Sequence, residues 1–385
     1  SHILTEVQEV CDRVVIINHG QIAANDTIDN LSKAVSGVNR LVVRINGPKN
    51  EVLQAIRGLE DVTKVRADME REPGIFEFEI EAKPGNSLVS TLDEYIQHVC
   101  DKYLTQAIAD NKVAERGAVV CMNVNTGEIY AMSVKDDFDP NNPFTLSEAD
   151  QAVVDALEGD EKTAKLSELR NQQWRNKAVS DTYEPGSVFK VVTAAMAIEE
   201  GVTNINSHYN CNGYIVIAGQ RYSCHKRSGH GGESLTQAMQ NSCNPAFMQM
   251  ALSMGKSTFY DYIYAFGFGS STGSGISGET SGIVTHEKYI TENNLARIGF
   301  GQSIAVTPIQ LCTAVCAAVN GGELMQPYVV DSIVNKDGRV ILKNEPTMVR
   351  RVIGESTSAQ VREILESVVS EGSGKNASIP GYRVG

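Results

Sequence analysis

Two short stretches of this 385-residue chain combine residue types that do chemistry. The first is Tyr183-Glu184-Pro185-Gly186-Ser187-Val188-Phe189-Lys190, followed by the apolar run Val191–Ile198. Pro-Gly ahead of Ser187 predicts a helix start there. Ser187 and Lys190 then share one face, a turn apart. A serine at a helix N-terminus sits in positive potential, which favours developing negative charge. A lysine one turn in, buried near that same end, has a lowered pKa. Neutral Lys190 could take the Ser187 proton and make the hydroxyl a nucleophile.

Ser-x-x-Lys also occurs at Ser223/Lys226 and Ser253/Lys256. Only the Ser187 copy has a Pro-Gly start and an apolar helix behind it. The second stretch is Asn241-Ser242-Cys243-Asn244-Pro245. A hydroxyl and a carboxamide two positions apart on a turn can enter one cleft. Ser242 could relay a proton to or from Lys190, and the Asn244 amide could donate to a substrate carbonyl. Cys211, Cys224 and Cys243 could cluster, with His225 and His230 nearby, but they lack the closely spaced ligand pair of a zinc site, so no metal is expected. Cys312 and Cys316 fall one helical turn apart in an apolar run and read as core.

Several elements must bring these residues together. Leu41, Val43 and Ile45 alternate with polar neighbours, as do Phe76, Phe78 and Ile80, and both read as strands. With a helical face at Val52, Leu53 and Ile56 and a strand at Val62–Ala67, residues 39–86 predict β-α-β-β, most of a ferredoxin-like sandwich. A break at Lys83-Pro84-Gly85-Asn86 precedes a long helical stretch to about Asn111. Ala118–Val124 and Glu128–Val134 predict a hairpin around Asn125-Thr126-Gly127. The remainder reads as mostly helices and loops, with Ser270–Ser281 a surface loop.

From residue 87 onward the chain resembles the transpeptidase domain of class B penicillin-binding proteins. The Ser-x-x-Lys and Ser-x-Asn pair carries the resemblance. So do Thr91-Leu92-Asp93, Asn125–Met132, Asp139-Pro140-Asn141-Asn142-Pro143, Trp174–Ala178, Gly229-His230-Gly231, Gly299-Phe300-Gly301-Gln302, Thr307–Leu311 and Asn320-Gly321-Gly322. The resemblance implies an α/β (α+β) penicillin-binding, β-lactamase-like fold over residues 87–385. It implies a serine D,D-transpeptidase of peptidoglycan cross-linking, with Ser187, Lys190 and Ser242 catalytic and Asn244 substrate-binding. Stem peptides and β-lactams would be its ligands, wall-synthesis membrane proteins its partners, and no cofactor is needed. The family's third motif, Lys-Thr/Ser-Gly, has no copy after Ser242. Gly372-Ser373-Gly374-Lys375 neither replaces it nor makes a phosphate loop. The expectation is therefore an incomplete sheet and low activity, since the missing strand would supply an oxyanion-hole donor worth roughly 3–4 kcal/mol.

Residues 1–38 resemble the C-terminal tail of an ABC-transporter ATPase, with His2 as the switch histidine at the nucleotide, and residues 39–86 its accessory domain. That family works in the cytosol, whereas class B transpeptidases work on the outer face of the membrane. The chain opens at Ser1 without Met, so the reading expects a fragment, formed by an artefactual or degraded fusion of two genes. Competing readings are a catalytically silent penicillin-recognising scaffold and an ABC regulatory fragment.

Composition sets the outer limits. Apolar residues make up 42% and charged residues 21%, enough for a packed core. Thirty-four basic against 47 acidic residues leave −13, which excludes a general nucleic-acid binder. No apolar run approaches the ~18 residues of a membrane span.

Overall fold

The computed structural model describes residues 14–18, 21–26, 39–59, 61–72, 74–83, 85–113, 117–135 and 137–385. They fall into two compact units, residues 1–89 with 332–343 and residues 90–331 with 344–385. The boundary is thus discontinuous in sequence. The excursion at 332–343 carries no compositional break that would mark it.

In the first unit, Val14–Asn18 and Gln21–Asp26 pair antiparallel. Asn39–Asn46, the helix Lys49–Arg57, Val62–Glu72 and Ile75–Ala82 follow as β-α-β-β. The last strand lies between the other two, antiparallel to both. Period-2 alternation puts Phe78 and Ile80 on the buried face, where Val65 and Ile56 of the helix meet them. A second sheet orders Val340–Lys343, Val330–Val334 and Ser87–Ser90.

The second unit opens with the helix Glu94–Asp110, whose first turn is capped by Asp93 accepting from the Ile96 amide at 2.9 Å. Gln97 clamps the following hairpin, accepting from Met132 N at 2.8 Å and donating to Met132 O at 3.2 Å. That hairpin pairs Ala118–Met122 with Ile129–Val134. At the centre runs the helix Lys190–Glu199, buried at every position from Lys190 to Ile198. A helix apolar all round must be enclosed. The helices Leu235–Gln240, Asn244–Met254, Pro308–Val319 and Glu355–Ser370 supply the enclosure through Leu235, Phe247, Leu311 and Val361.

One expectation needs filling in and another needs correction. The region after residue 200 is not only helices and loops. His208–Cys211 pairs with Gly231–Ser234, Tyr214–Ile217 with Gln220–Ser223, and Glu323–Met325 with Met348–Arg351. Three- and four-residue strands are too short to show a period. Nor does the α-helix begin at Ser187. Gly186–Phe189 is a 3-10 turn, and the α-helix starts at Lys190. The tighter turn has three residues per revolution, so positions 187 and 190 eclipse.

Candidate active site

That eclipse sets the site. Lys190 is 1% exposed. Its Nζ lies 3.2 Å from Ser187 Oγ, 2.8 Å from Ser242 Oγ, 2.8 Å from the Ser242 carbonyl and 2.7 Å from Asn244 Oδ1. The Ser242 hydroxyl in turn donates to Ser187 Oγ at 2.9 Å. The four residues singled out in the sequence therefore meet around one amine.

The amine is held for proton transfer. Burial lowers the Lys190 pKa to about 8, against opposing pull from Cys243, Cys224 and the Glu233 carboxylate. A neutral amine keeps two N–H groups and one lone pair. The N–H groups match the Ser242 carbonyl and Asn244 Oδ1. The lone pair is left for the two hydroxyls. Asn244 accepts through Oδ1, and among the described residues its Nδ2 has no protein partner. That donor remains for a ligand.

Ser242 owes its place to the backbone. The helix Leu235–Gln240 starts with a Ser234/Gln237 capping box. It ends as Ser242 N donates to Met239 O and Cys243 N to Ala238 O. Ser242 adopts φ 50°, a left-handed conformation uncommon outside glycine. This turns its side chain back toward Lys190 just before the helix Asn244–Met254 begins.

Support for Ser187 comes from a segment that the sequence reading gave no role. The Gly186 amide donates to Gly301 O at 2.9 Å, and Ser303 N donates to Glu184 Oε1 at 2.8 Å. Tyr183 and Val306 exchange two backbone bonds of 3.0 Å. Thr193, inside the central helix, donates to Gly299 O at 2.9 Å. A Cβ on Gly301 would stand 2.0 Å from Gly186 O, at φ +83°. Only glycine fits there. Gly299–Gln302 was legible as a family signature, but its contact with Gly186 was not.

The remaining candidate residues lie elsewhere. His2 lies outside the described residues. Ser223/Lys226 and Ser253/Lys256 take no part in the Lys190 network. The cysteines that the sequence left free to cluster do so: Cys211, Cys224, Cys243 and His230 bring their ligand atoms within 4.8 Å of one another. Spacing alone did not establish the cluster, because the short strands that fold these residues together are too brief to show a period.

The family profile described as penicillin binding protein transpeptidase domain matches residues 117–385. The chain is 39% identical over 309 residues to stage V sporulation protein D of Bacillus subtilis, covering 79% of this chain and 44% of that protein. It is 30% identical over 310 residues to peptidoglycan D,D-transpeptidase FtsI of Escherichia coli K12, covering 79% and 45%. The chain thus spans less than half the length of these curated relatives. Among solved structures it is similar to penicillin binding protein 3 of Mycobacterium tuberculosis in complex with aztreonam. There the TM-score is 0.66 at 27% identity, over 78% of this chain and 63% of that one. The mixed helix-and-strand fold of the second unit is the fold of these proteins. None of these matches supports the ABC-transporter reading of residues 1–86.

Proposed function

The chain belongs to the penicillin-binding protein transpeptidase family, and from that premise we propose that it carries a serine D,D-transpeptidase site of peptidoglycan cross-linking. Lys190 takes the Ser187 proton, directly or through Ser242, as the Ser187 oxygen attacks the penultimate D-alanine carbonyl of a stem peptide. The proton passes to the departing amine as the peptide bond breaks and terminal D-alanine leaves. An acyl ester on Ser187 remains. A neighbouring stem amine attacks it, gives up a proton to Lys190 and restores the Ser187 hydroxyl. Nδ2 of Asn244 donates to the substrate backbone. A β-lactam acylates Ser187 in the same way and stays.

One observation carries this reading: a buried amine with its pKa near 8 lies within hydrogen-bond reach of two hydroxyls and an amide oxygen. We further place this part of the protein on the outer face of the bacterial cytoplasmic membrane, working with membrane proteins of wall synthesis. No described helix is long and apolar enough to cross a membrane.

Covalent labelling by a fluorescent penicillin tests the proposal. Label is expected on Ser187 and absent from Ser187→Ala. A well-folded chain that takes no label after prolonged exposure refutes the enzymatic reading in favour of a silent scaffold.

A further inference from the structure

Beside the Ser-x-Asn turn, three thiols and an imidazole converge. Cys211 ends the strand His208–Cys211, Cys224 follows Gln220–Ser223, His230 precedes Gly231–Ser234, and Cys243 caps the helix Asn244–Met254. Cys211, Cys224 and Cys243 are 1%, 1% and 0% exposed, and the His230 side chain 5%. The four ligand atoms all lie within 4.8 Å of each other. A tetrahedral zinc ion with Zn–S near 2.3 Å and Zn–N near 2.0 Å sets edges of about 3.5–3.8 Å between ligands. The Cys224 Sγ to His230 Nδ1 distance is already 3.7 Å.

Buried thiols alone would be ordinary core. The neighbouring carboxylate is not. Glu233 is 2% exposed, and its Oε1 has no hydrogen-bond partner among the described residues. That oxygen lies 3.8 Å from His230 Nδ1, while Oε2 accepts from Asn241 at 3.1 Å. A buried carboxylate oxygen without a partner is costly in an apolar site. It faces the same His230 Nδ1 as Cys224 Sγ, so a cation held by these ligands would offset its charge.

We propose that Cys211, Cys224, His230 and Cys243 bind one structural zinc ion, whose charge offsets that of the Glu233 carboxylate beside them. Four protein ligands close the coordination sphere, so the ion activates no water. Its work is positional. Cys243 sits between Ser242 and Asn244, and the ion ties that turn to the two short strand pairs ahead of it.

Metal analysis of the full 385-residue chain, purified without chelator, is expected to give about one zinc per chain, as a closed Cys3His site demands. Exchange for Co2+ should produce thiolate charge-transfer and tetrahedral d–d absorption. Cys211→Ser and His230→Ala should lose the ion, and Cys100→Ser should keep it. Chelation of the unaltered chain should lower its melting temperature, which makes the test independent of whether a variant folds. Ser187→Ala should keep the zinc while losing penicillin acylation, so this inference and the proposed activity fail separately. A chain that binds neither zinc nor Co2+ overturns the proposal. So does a disulfide joining any two of the three cysteines in protein prepared with zinc and without oxidant.

Discussion

The Nζ of Lys190 lies 2.8 Å from the hydroxyl of Ser242, a residue 52 positions further along the chain. The contact closes a ring, because Ser242 also donates to Ser187 at 2.9 Å and Lys190 lies 3.2 Å from Ser187. A proton can leave Ser187 by either side of that ring.

Acylation by penicillin should rise with pH through about 8, the value to which burial brings Lys190. Only the neutral amine accepts the Ser187 proton, and at pH 7 about a tenth of it is neutral. Lys190→Arg should flatten the profile near zero rate, since a guanidinium does not deprotonate in this range. Second-order acylation rates measured from pH 6 to 9 check this. The unfolded lysine holds its proton to about 10.5, so burial of the charge penalises the fold fully below pH 8. The penalty lifts as pH rises between those two values.

Ser242→Gly and Ser242→Ala should separate strain from chemistry. Both remove the relay hydroxyl and should slow acylation on the order of 10²-fold or more. Glycine relieves the φ of 50° and should hold or raise the melting temperature, whereas alanine keeps the strain. Equal melting temperatures for the two would show that the backbone at Ser242 is unstrained.

Gly301→Ala should disable the nucleophile without touching it. The new methyl would stand 2.0 Å from the Gly186 carbonyl and push the 3-10 turn that carries Ser187. A destabilisation of about 2–3 kcal/mol is expected, with most acylation lost. Gly278→Ala is the comparator. It also has a positive φ, 84°, but nothing within 4 Å of the added carbon. It should cost about 1–2 kcal/mol and leave acylation intact. Denaturant midpoints and labelling rates of the two variants decide the matter.

Thr193→Val should loosen the same support from the helix side. The substitution keeps shape but leaves the Gly299 carbonyl without its 2.9 Å donor. An unmet buried carbonyl costs about 1–3 kcal/mol. Urea unfolding should show that loss, with slower acylation beside it. Unchanged stability would mean that the bond contributes nothing.

The sequence by itself named the candidate reacting groups. Ser187 and Lys190 lie within one turn, and Ser242 and Asn244 within another, so local spacing was enough to name all four and the family they signal. It also fixed the β-α-β-β order of residues 39–82 and the Ala118–Val134 hairpin, whose alternation is a local pattern. Tertiary structure decided what spacing cannot encode. The two turns became one site only when the central helix and the helix Asn244–Met254 packed together in one core. The 3-10 geometry at Ser187 follows from Gly301 lying against Gly186, 115 residues away in a segment with no chemistry of its own. The Cys211, Cys224, His230 and Cys243 cluster likewise depends on strands of four residues, too brief to carry a period. Chemistry was legible because it is carried by residue type at short range. Its positioning was not, because it is carried by long-range packing and backbone contacts that any apolar run or glycine could make.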